Sequence, residues 1–288
     1  KREEFVKDSV EECIVDYGNS ILYSSARNEY VIHRLKRMLR RTVWALTKQL
    51  EKGDFVPSGY EVKFNGGIID RIDVCEDEDK LYVKVIDYKT GEKTFDLGEL
   101  CYGLQMQLVV YMNAAVEMEQ KKHPEKQVLP AGIFYYRMKD PIVDKPVQGK
   151  EVDDVILREL RPDGVVQGST EVLEHLDRGF TGTSQVIPVA RTQVGALSKT
   201  SKVLSEEEFR VISEFAKKQK QEVEKEILGG NAEIKPYLLG NSSGCDYCPY
   251  HAVCGFEEQV EGFEYRKLEK LNAEKAMEKM RGEVETWE

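Results

Sequence analysis

The sequence predicts an α/β domain with a mixed β-sheet flanked by helices. Three observations carry that expectation. First, EVKF (61–64), GGIIDRIDV (66–74), LYVKVIDYK (81–89) and AGIFYYRM (131–138) read as strands, and LYVKVIDYK is dense in Val, Ile and Tyr with no breaker until Thr90-Gly91. Second, residues 29–51, 97–120 and 205–228 place apolar residues at helical spacing or keep a long breaker-poor run. Third, AGIFYYRM is apolar on both faces, as suits an inner strand covered on two sides. The order strand, strand, strand, helix, strand fits a mixed sheet.

Each element has its own signal. In 29–51, Ile32, Leu35, Leu39, Val43, Leu46 and Leu50 line one helix face. Asn65-Gly66 is a hairpin turn between the first two strands. CEDEDK (75–80) is the next turn. LGELCYGLQMQLVVYMNAAVEMEQ (97–120) reads as one long helix, on which Gln107 and Tyr111 stand one turn apart. Residues 139–204 read as an irregular insertion, with short helices at DVILREL and STEVLEHLD, the second capped by Ser169. Thr181 to Ser201 reads as a loop or a hairpin. Ser205 and Glu208 form a capping box that opens the helix ending at Gly229-Gly230. The segment 240–256 holds a cysteine cluster, and 261–288 is a charged helix or tail following a domain expected over 1–260.

Composition narrows the function classes. The chain has 288 residues, a net charge of −10 and 41% apolar residues, enough for a sizeable core. An acidic balance argues against a protein that coats nucleic acid nonspecifically, but not against local contact. No apolar run approaches the roughly 20 residues of a membrane span. The basic cluster Arg34, Lys36, Arg37, Arg40 and Arg41 reads first as a solvated helix face. Six cysteines in a chain of this length fit a reducing, cytoplasmic setting better than a disulfide framework.

Chemistry concentrates at Asp70, Asp87 and Lys89. Residues two apart on a strand share a face, so Asp87 and Lys89 project together, and a neighbouring strand brings Asp70 beside them. Two facing carboxylates repel unless a cation sits between them, and hard oxygen ligands suit Mg²⁺ or Mn²⁺. A lysine beside such a metal orients water or neutralises charge on a phosphate. The blander reading makes both aspartates solvated strand ends.

GGIIDRIDV, VIDYKTG and LCYGLQMQLVVYM together resemble the core of the RecB-like nucleases of the PD-(D/E)XK superfamily, whose fold is restriction-endonuclease-like. The resemblance runs on through IFYYRMKDP and RPDGVVQGSTEVLEHLD to the cysteines, and is nearest to the nuclease domains of AddB-type subunits of bacterial AddAB helicase–nucleases. It implies an Mg²⁺-dependent deoxyribonuclease that processes DNA ends for recombinational repair alongside an AddA-type partner. It implies a metal at Asp70 and Asp87, joined by the Tyr88 carbonyl, with Lys89, Gln107 and Tyr111 completing the catalytic set. Glu61 stands where members often carry an acidic residue. A family histidine on a helix before the first catalytic strand has no match: His33 reads as a structural or surface residue. The resemblance also implies a 4Fe-4S cluster on Cys245, Cys248 and Cys254. The fourth ligand would be an N-terminal cysteine. Cys13 lacks the expected context and reads as a buried structural thiol, which places the fourth cysteine upstream of Lys1. Two other readings stand beside these. With His251 the cysteines make C-x2-C-x2-H-x2-C, a zinc-binding interaction module. A noncatalytic DNA-binding or scaffold domain would keep the fold without turnover.

Overall fold

The computed structural model describes residues 2–142 and 150–286; residues 143–149, near the start of the expected insertion, lie outside the described set. The chain divides into two compact units, 1–95 with 111–209, and 96–110 with 210–288.

The first unit is built on a six-stranded sheet in the order β1-β2-β3-β4-β5-β6. After helices α1 (Arg2–Gly18) and α2 (Ala26–Lys52) come β1 (Val56–Phe64), β2 (Gly67–Glu76) and β3 (Lys80–Lys89). Ser25 caps α2 by accepting from the Asn28 N–H. β1 and β2 pair antiparallel around Asn65-Gly66, where Gly66 has φ +139°, a conformation that favours glycine. β2 and β3 are also antiparallel, while β3 and β4 (Gln127–Arg137) run parallel. The parallel pair needs a crossover, which the stretch 90–126 supplies.

One long helix over 97–120 is not what forms. The stretch splits into α3 (Leu97–Cys101) and α4 (Gln107–Lys122). Gly103 takes φ +76° between them, and the N–H groups of Tyr102, Gly103 and Leu104 close tight turns back onto α3. A left-handed glycine ends a helix even where the apolar periodicity continues.

Beyond β4, α5 (Lys150–Glu159) and α6 (Thr170–Leu176) occupy the two expected short helices, and Ser169 caps α6 by accepting from Val172 N–H. Between them lies a strand that the sequence pattern does not announce, β5 (Asp163–Gln167), antiparallel to β4. It is five residues long and contains Gly164, which normally weakens a strand. Gly164 is needed there: a Cβ would stand 1.9 Å from the Ile133 carbonyl oxygen. β6 (Val203–Leu204) completes the sheet, parallel to β5. The 181–201 stretch carries two isolated antiparallel bridges, Thr183 with Ala190 and Arg191 with Leu197.

One sheet face is closed by a core in which Tyr82, Ile86, Phe134, Tyr136 and Val166 meet Val172, Leu173 and Leu176 of α6 and Val186, Ile187 and Val189. Within that face sits an ion network that hydrophobic patterning does not reveal. Arg71 donates to Asp73 through Nε at 2.6 Å and Nη2 at 2.9 Å, and Lys84 Nζ lies 3.0 Å from the same carboxylate. Asp73 has no exposed surface. Burial alone would raise its pKa, but Lys84 and Arg71 outweigh that and hold it below the usual carboxylate value. Arg71 also reaches the Tyr88 hydroxyl at 3.3 Å.

The second unit contains α3, α7 (Glu206–Leu228) from Arg210 onward, the small sheet β8-β7-β9 (Ser242–Ser243, Tyr237–Leu239, Arg266–Leu268), α8 (His251–Cys254) and α9 (Ala273–Glu285). The capping box of α7 is reciprocal: Ser205 N–H donates to Glu208 at 2.7 Å and Glu208 N–H to the Ser205 hydroxyl at 3.1 Å. α9 is a docked helix rather than a solvated tail, with Ala276, Met277 and Met280 buried. Gly98 of α3 lets the Leu271 carbonyl approach, since a Cβ there would meet it at 2.7 Å.

The ion network generates a stability prediction. Asp73→Ala leaves two buried cations facing no carboxylate, which costs on the order of 3–5 kcal/mol. Chemical denaturation should show a midpoint drop of that size with an unchanged denaturant slope. A loss under about 1 kcal/mol would mean that Arg71 and Lys84 find water instead.

Candidate functional site

The ladder between β2 and β3 stops at Arg71–Ile86, although β2 stays paired with β1 as far as Gly67 and β3 with β4 as far as Lys89. The two strands therefore part, and the next residue on each lip is an aspartate. One register step beyond Arg71–Ile86 sets Asp70 opposite Asp87, so both side chains leave from the same face. Asp70 Oδ2 accepts the Tyr88 N–H at 2.7 Å, a backbone donor that the parted ladder would otherwise leave without a strand partner. Lys89 Nζ lies 2.6 Å from Asp87 Oδ2 and 5.7 Å from the centre of the Tyr135 ring.

The electrostatics match a cation site. Asp87 is 2% exposed. Burial raises its pKa, the Lys89 ammonium pulls it back, and the Asp70 charge pushes it up again; the net direction is upward. A buried carboxylate with a second carboxylate beside it is costly as an anion, and a divalent ion removes both costs. Asp70, Asp87 and the Tyr88 carbonyl are hard oxygen donors of the kind Mg²⁺ and Mn²⁺ take.

The other expected residues fall into place unevenly. Gln107 opens α4 and Tyr111 follows one turn later. The Tyr111 ring packs edge-on against Phe64 at 5.7 Å, and a Cβ on Gly67 would touch it at 3.5 Å. Tyr111 thus lies against the β1–β2 turn, three residues before Asp70. Glu61 is exposed and has φ +48°, alone among the described non-glycine residues in that region. It falls between the pairs Tyr60–Arg71 and Val62–Ile69, level with Asp70. His33 is exposed on α2. Cys13 is exposed too, contrary to the buried thiol expected, because the covered stripe of α1 is Val6, Val10 and Ile14 and Cys13 sits just off it.

All six cysteines are free thiols. Cys245, Cys248 and Cys254 are partly exposed, and His251 is exposed. Their ligand atoms do not close into a set. Among the described residues, three such atoms lie within 4.8 Å of one another only at Asp77, Glu171 and His175, which no sequence motif singles out. Part of the basic cluster is spent internally: Lys36 pairs with Glu11, and Arg37 and Arg41 both pair with Asp140. This favours the solvated-face reading.

The sequence profile of the PD-(D/E)XK nuclease superfamily matches residues 1–255. The chain belongs to that superfamily. Curated relatives bear the same stamp, each named as the B-type subunit of an ATP-dependent helicase/deoxyribonuclease. The one from Lachnoclostridium phytofermentans is 40% identical across 96% of this chain and 25% of the relative. The one from Caldanaerobacter subterraneus is 38% identical across 90% of this chain and 24% of its own length. The one from Alkaliphilus metalliredigens is 34% identical across 98% and 26%. The chain thus spans about a quarter of the length of these relatives. A mixed sheet that presents two carboxylates and a lysine from adjacent strands fits a nuclease superfamily. No helix among the described residues is long and apolar enough to cross a membrane.

The raised pKa of Asp87 has a measurable consequence. A carboxylate whose folded pKa exceeds its unfolded value destabilises the fold increasingly as pH rises through that interval, and the full cost is reached above the folded pKa. Asp87→Asn removes that cost. The metal-free variant should melt at or above the wild-type temperature at neutral pH. It should also lose the stabilisation that Mn²⁺ gives wild type, which is about 2.7 kcal/mol at a hundredfold excess over Kd. A variant that melts lower without metal and still responds fully to Mn²⁺ would contradict this account of the site.

Proposed function

We propose that this chain is the metal-dependent DNA nuclease unit of a helicase–nuclease acting on double-strand ends in the bacterial cytoplasm. The observation that carries the proposal is the parting of β2 and β3, which puts Asp70 opposite Asp87 with Lys89 paired beside them. The names of the relatives support the choice of DNA as substrate and of a helicase setting with an AddA-type partner.

In this reading Asp70 and Asp87 hold one Mg²⁺ or Mn²⁺ with the Tyr88 carbonyl. The bound ion supplies charge neutralisation at the phosphate and a more acidic water. The chain's own residues do the rest. The Tyr88 N–H fixes one Asp70 oxygen, so the other is left to turn outward. Asp87 anchors the Lys89 ammonium, and Lys89 orients the attacking water and stabilises charge that develops on the phosphate. Tyr111, steadied by Phe64, and Gln107 on the same helix face position the scissile phosphate or the lysine. The buried Arg71–Asp73–Lys84 group holds the two strands from behind.

Lys89→Ala in the complete enzyme should reduce DNA cleavage by on the order of 10²-fold or more, the cost of losing one charge stabiliser. ATP hydrolysis by the complex should be unaffected. Unchanged cleavage would remove Lys89 from the mechanism. A noncatalytic scaffold would be indicated instead if wild type itself shows no metal-dependent cleavage.

The cysteines belong to a second part of the proposal. Three thiolates at C-x2-C-x5-C suit a 4Fe-4S cluster completed by a thiolate from elsewhere in the longer protein. Anaerobic purification of the longer protein should yield about four irons per chain, lost in Cys248→Ser. Stoichiometric zinc without iron, dependent on His251, would replace the cluster with a zinc module and leave the nuclease reading standing.

A further inference from the structure

Far from Asp70 and Asp87, at the other end of the β2–β3 pair, a second ligand set is assembled. Asp77 lies in the β2–β3 turn, seven residues along the chain from Asp70, or roughly 20 Å at strand spacing. Glu171 and His175 are one turn apart on α6. One ligand atom from each of the three lies within 4.8 Å of the others. Ligands at about 2.1 Å in a tetrahedral array stand about 3.4 Å apart, so rotamer adjustments of up to about an ångström and a half close the set.

Two further observations separate this group from a chance meeting of surface acids. The first is how His175 is held. Its Nδ1 lies 3.0 Å from Asp54 Oδ2, while the Asp54 N–H donates to the His175 carbonyl oxygen at 2.8 Å. Asp54 Oδ1 is occupied by Arg178 at 2.5 Å, which fixes the carboxylate. Gly53 makes the approach possible, because a Cβ there would meet the His175 oxygen at 2.6 Å. With Nδ1 donating to Asp54, Nε2 faces Asp77 Oδ2 at 3.8 Å. A carboxylate behind Nδ1 with Nε2 directed at other donors is the arrangement that orients metal-binding histidines.

The second is charge. Asp77 Oδ1 is already taken by the Glu78 N–H at 2.8 Å, leaving Oδ2 toward the imidazole, and the Glu171 carboxylate interacts directly with Asp77. Three carboxylates, Asp54, Asp77 and Glu171, face two cations: Arg178 on Asp54 and Lys80 on Glu171 at 3.1 Å. The Tyr82 ring, 6.0 Å from that of His175, backs the group without adding charge. The carboxylates of the group therefore outnumber its cations by one. The side chains of His175, Asp77 and Glu171 are 23%, 37% and 39% exposed, so an ion can enter.

We propose that Asp77, Glu171 and His175 bind a divalent transition-metal ion of the zinc type, oriented by Asp54, and that the ion pins the β2–β3 turn to α6. Imidazole selects such ions over Mg²⁺, so this site stays distinct in chemistry from the one at Asp70 and Asp87. It stands or falls independently of the nuclease reading.

Equilibrium dialysis of the complete protein against micromolar Zn²⁺, in millimolar Mg²⁺ at neutral pH, tests it. His175→Ala should bind one Zn²⁺ fewer per chain than wild type, and so should Glu171→Gln, which leaves the His175–Asp54 contact in place should the first variant fold poorly. Asp54→Asn should retain the site with roughly 10- to 100-fold weaker binding, the usual cost of losing an orienting carboxylate. Lys89→Ala should bind Zn²⁺ as wild type does, so the two readings fail separately. Equal zinc content in wild type and both ligand variants overturns the proposal. So does wild-type binding that appears only at millimolar Zn²⁺, which would leave His175 as an imidazole bridging Asp54 and Asp77.

Discussion

The β2–β3 pairing is the constraint on which the rest of the first unit depends. Side chains alternate along a strand, so a slip of one residue between the two strands would put Asp70 and Asp87 on opposite faces of the sheet. Asp73 guards against that slip. It is wholly buried and satisfied only when Arg71 on its own strand and Lys84 on the next both reach it. Any other register leaves charge in the core without a partner. Buried ion groups seldom add much net stability, because desolvation consumes the attraction. Their effect here is on specificity: one alignment of two strands is tolerated, and that alignment carries the chemistry.

The same alignment explains why the site is electrostatically tense. Asp87 is buried against Asp70, and its pKa is raised although Lys89 touches it. A fold optimised for stability alone would place a neutral residue there. Glu61, the described non-glycine residue at positive φ, lies level with Asp70 on the adjoining strand, and left-handed backbone at such a residue costs of order 1 kcal/mol or more. Local cost gathers at the lips where β2 and β3 part, and the well-packed core behind them supports it.

Much of the architecture was legible because local rules were strong. Asn65-Gly66 announced the hairpin, Ser205 with Glu208 announced α7, and the apolar run of AGIFYYRM announced an inner strand. Failures occurred where a tertiary contact overruled the local signal. β5 escaped notice because Gly164 reads as a breaker, yet only glycine fits against the Ile133 carbonyl. The 97–120 stretch read as one helix because its periodicity continues across Gly103, whose left-handed conformation breaks it. The segment 261–288 left helix and tail both open because the buried residues of α9, Ala276, Met277 and Met280, are few among many charges.

By itself the sequence determined β1 to β4 and the shared face of Asp87 and Lys89, because two-residue periodicity is a property of neighbours in the chain. It could not decide what distant segments do to one another. That Asp73 is the buried pivot of β2 and β3, that Cys13 is exposed, and that Asp54, Asp77, Glu171 and His175 converge were settled only in three dimensions. Asp54 and His175 stand 121 positions apart, and no periodicity links them. Their meeting follows from strand order, a glycine that admits a carbonyl, and the docking of α6 onto the sheet.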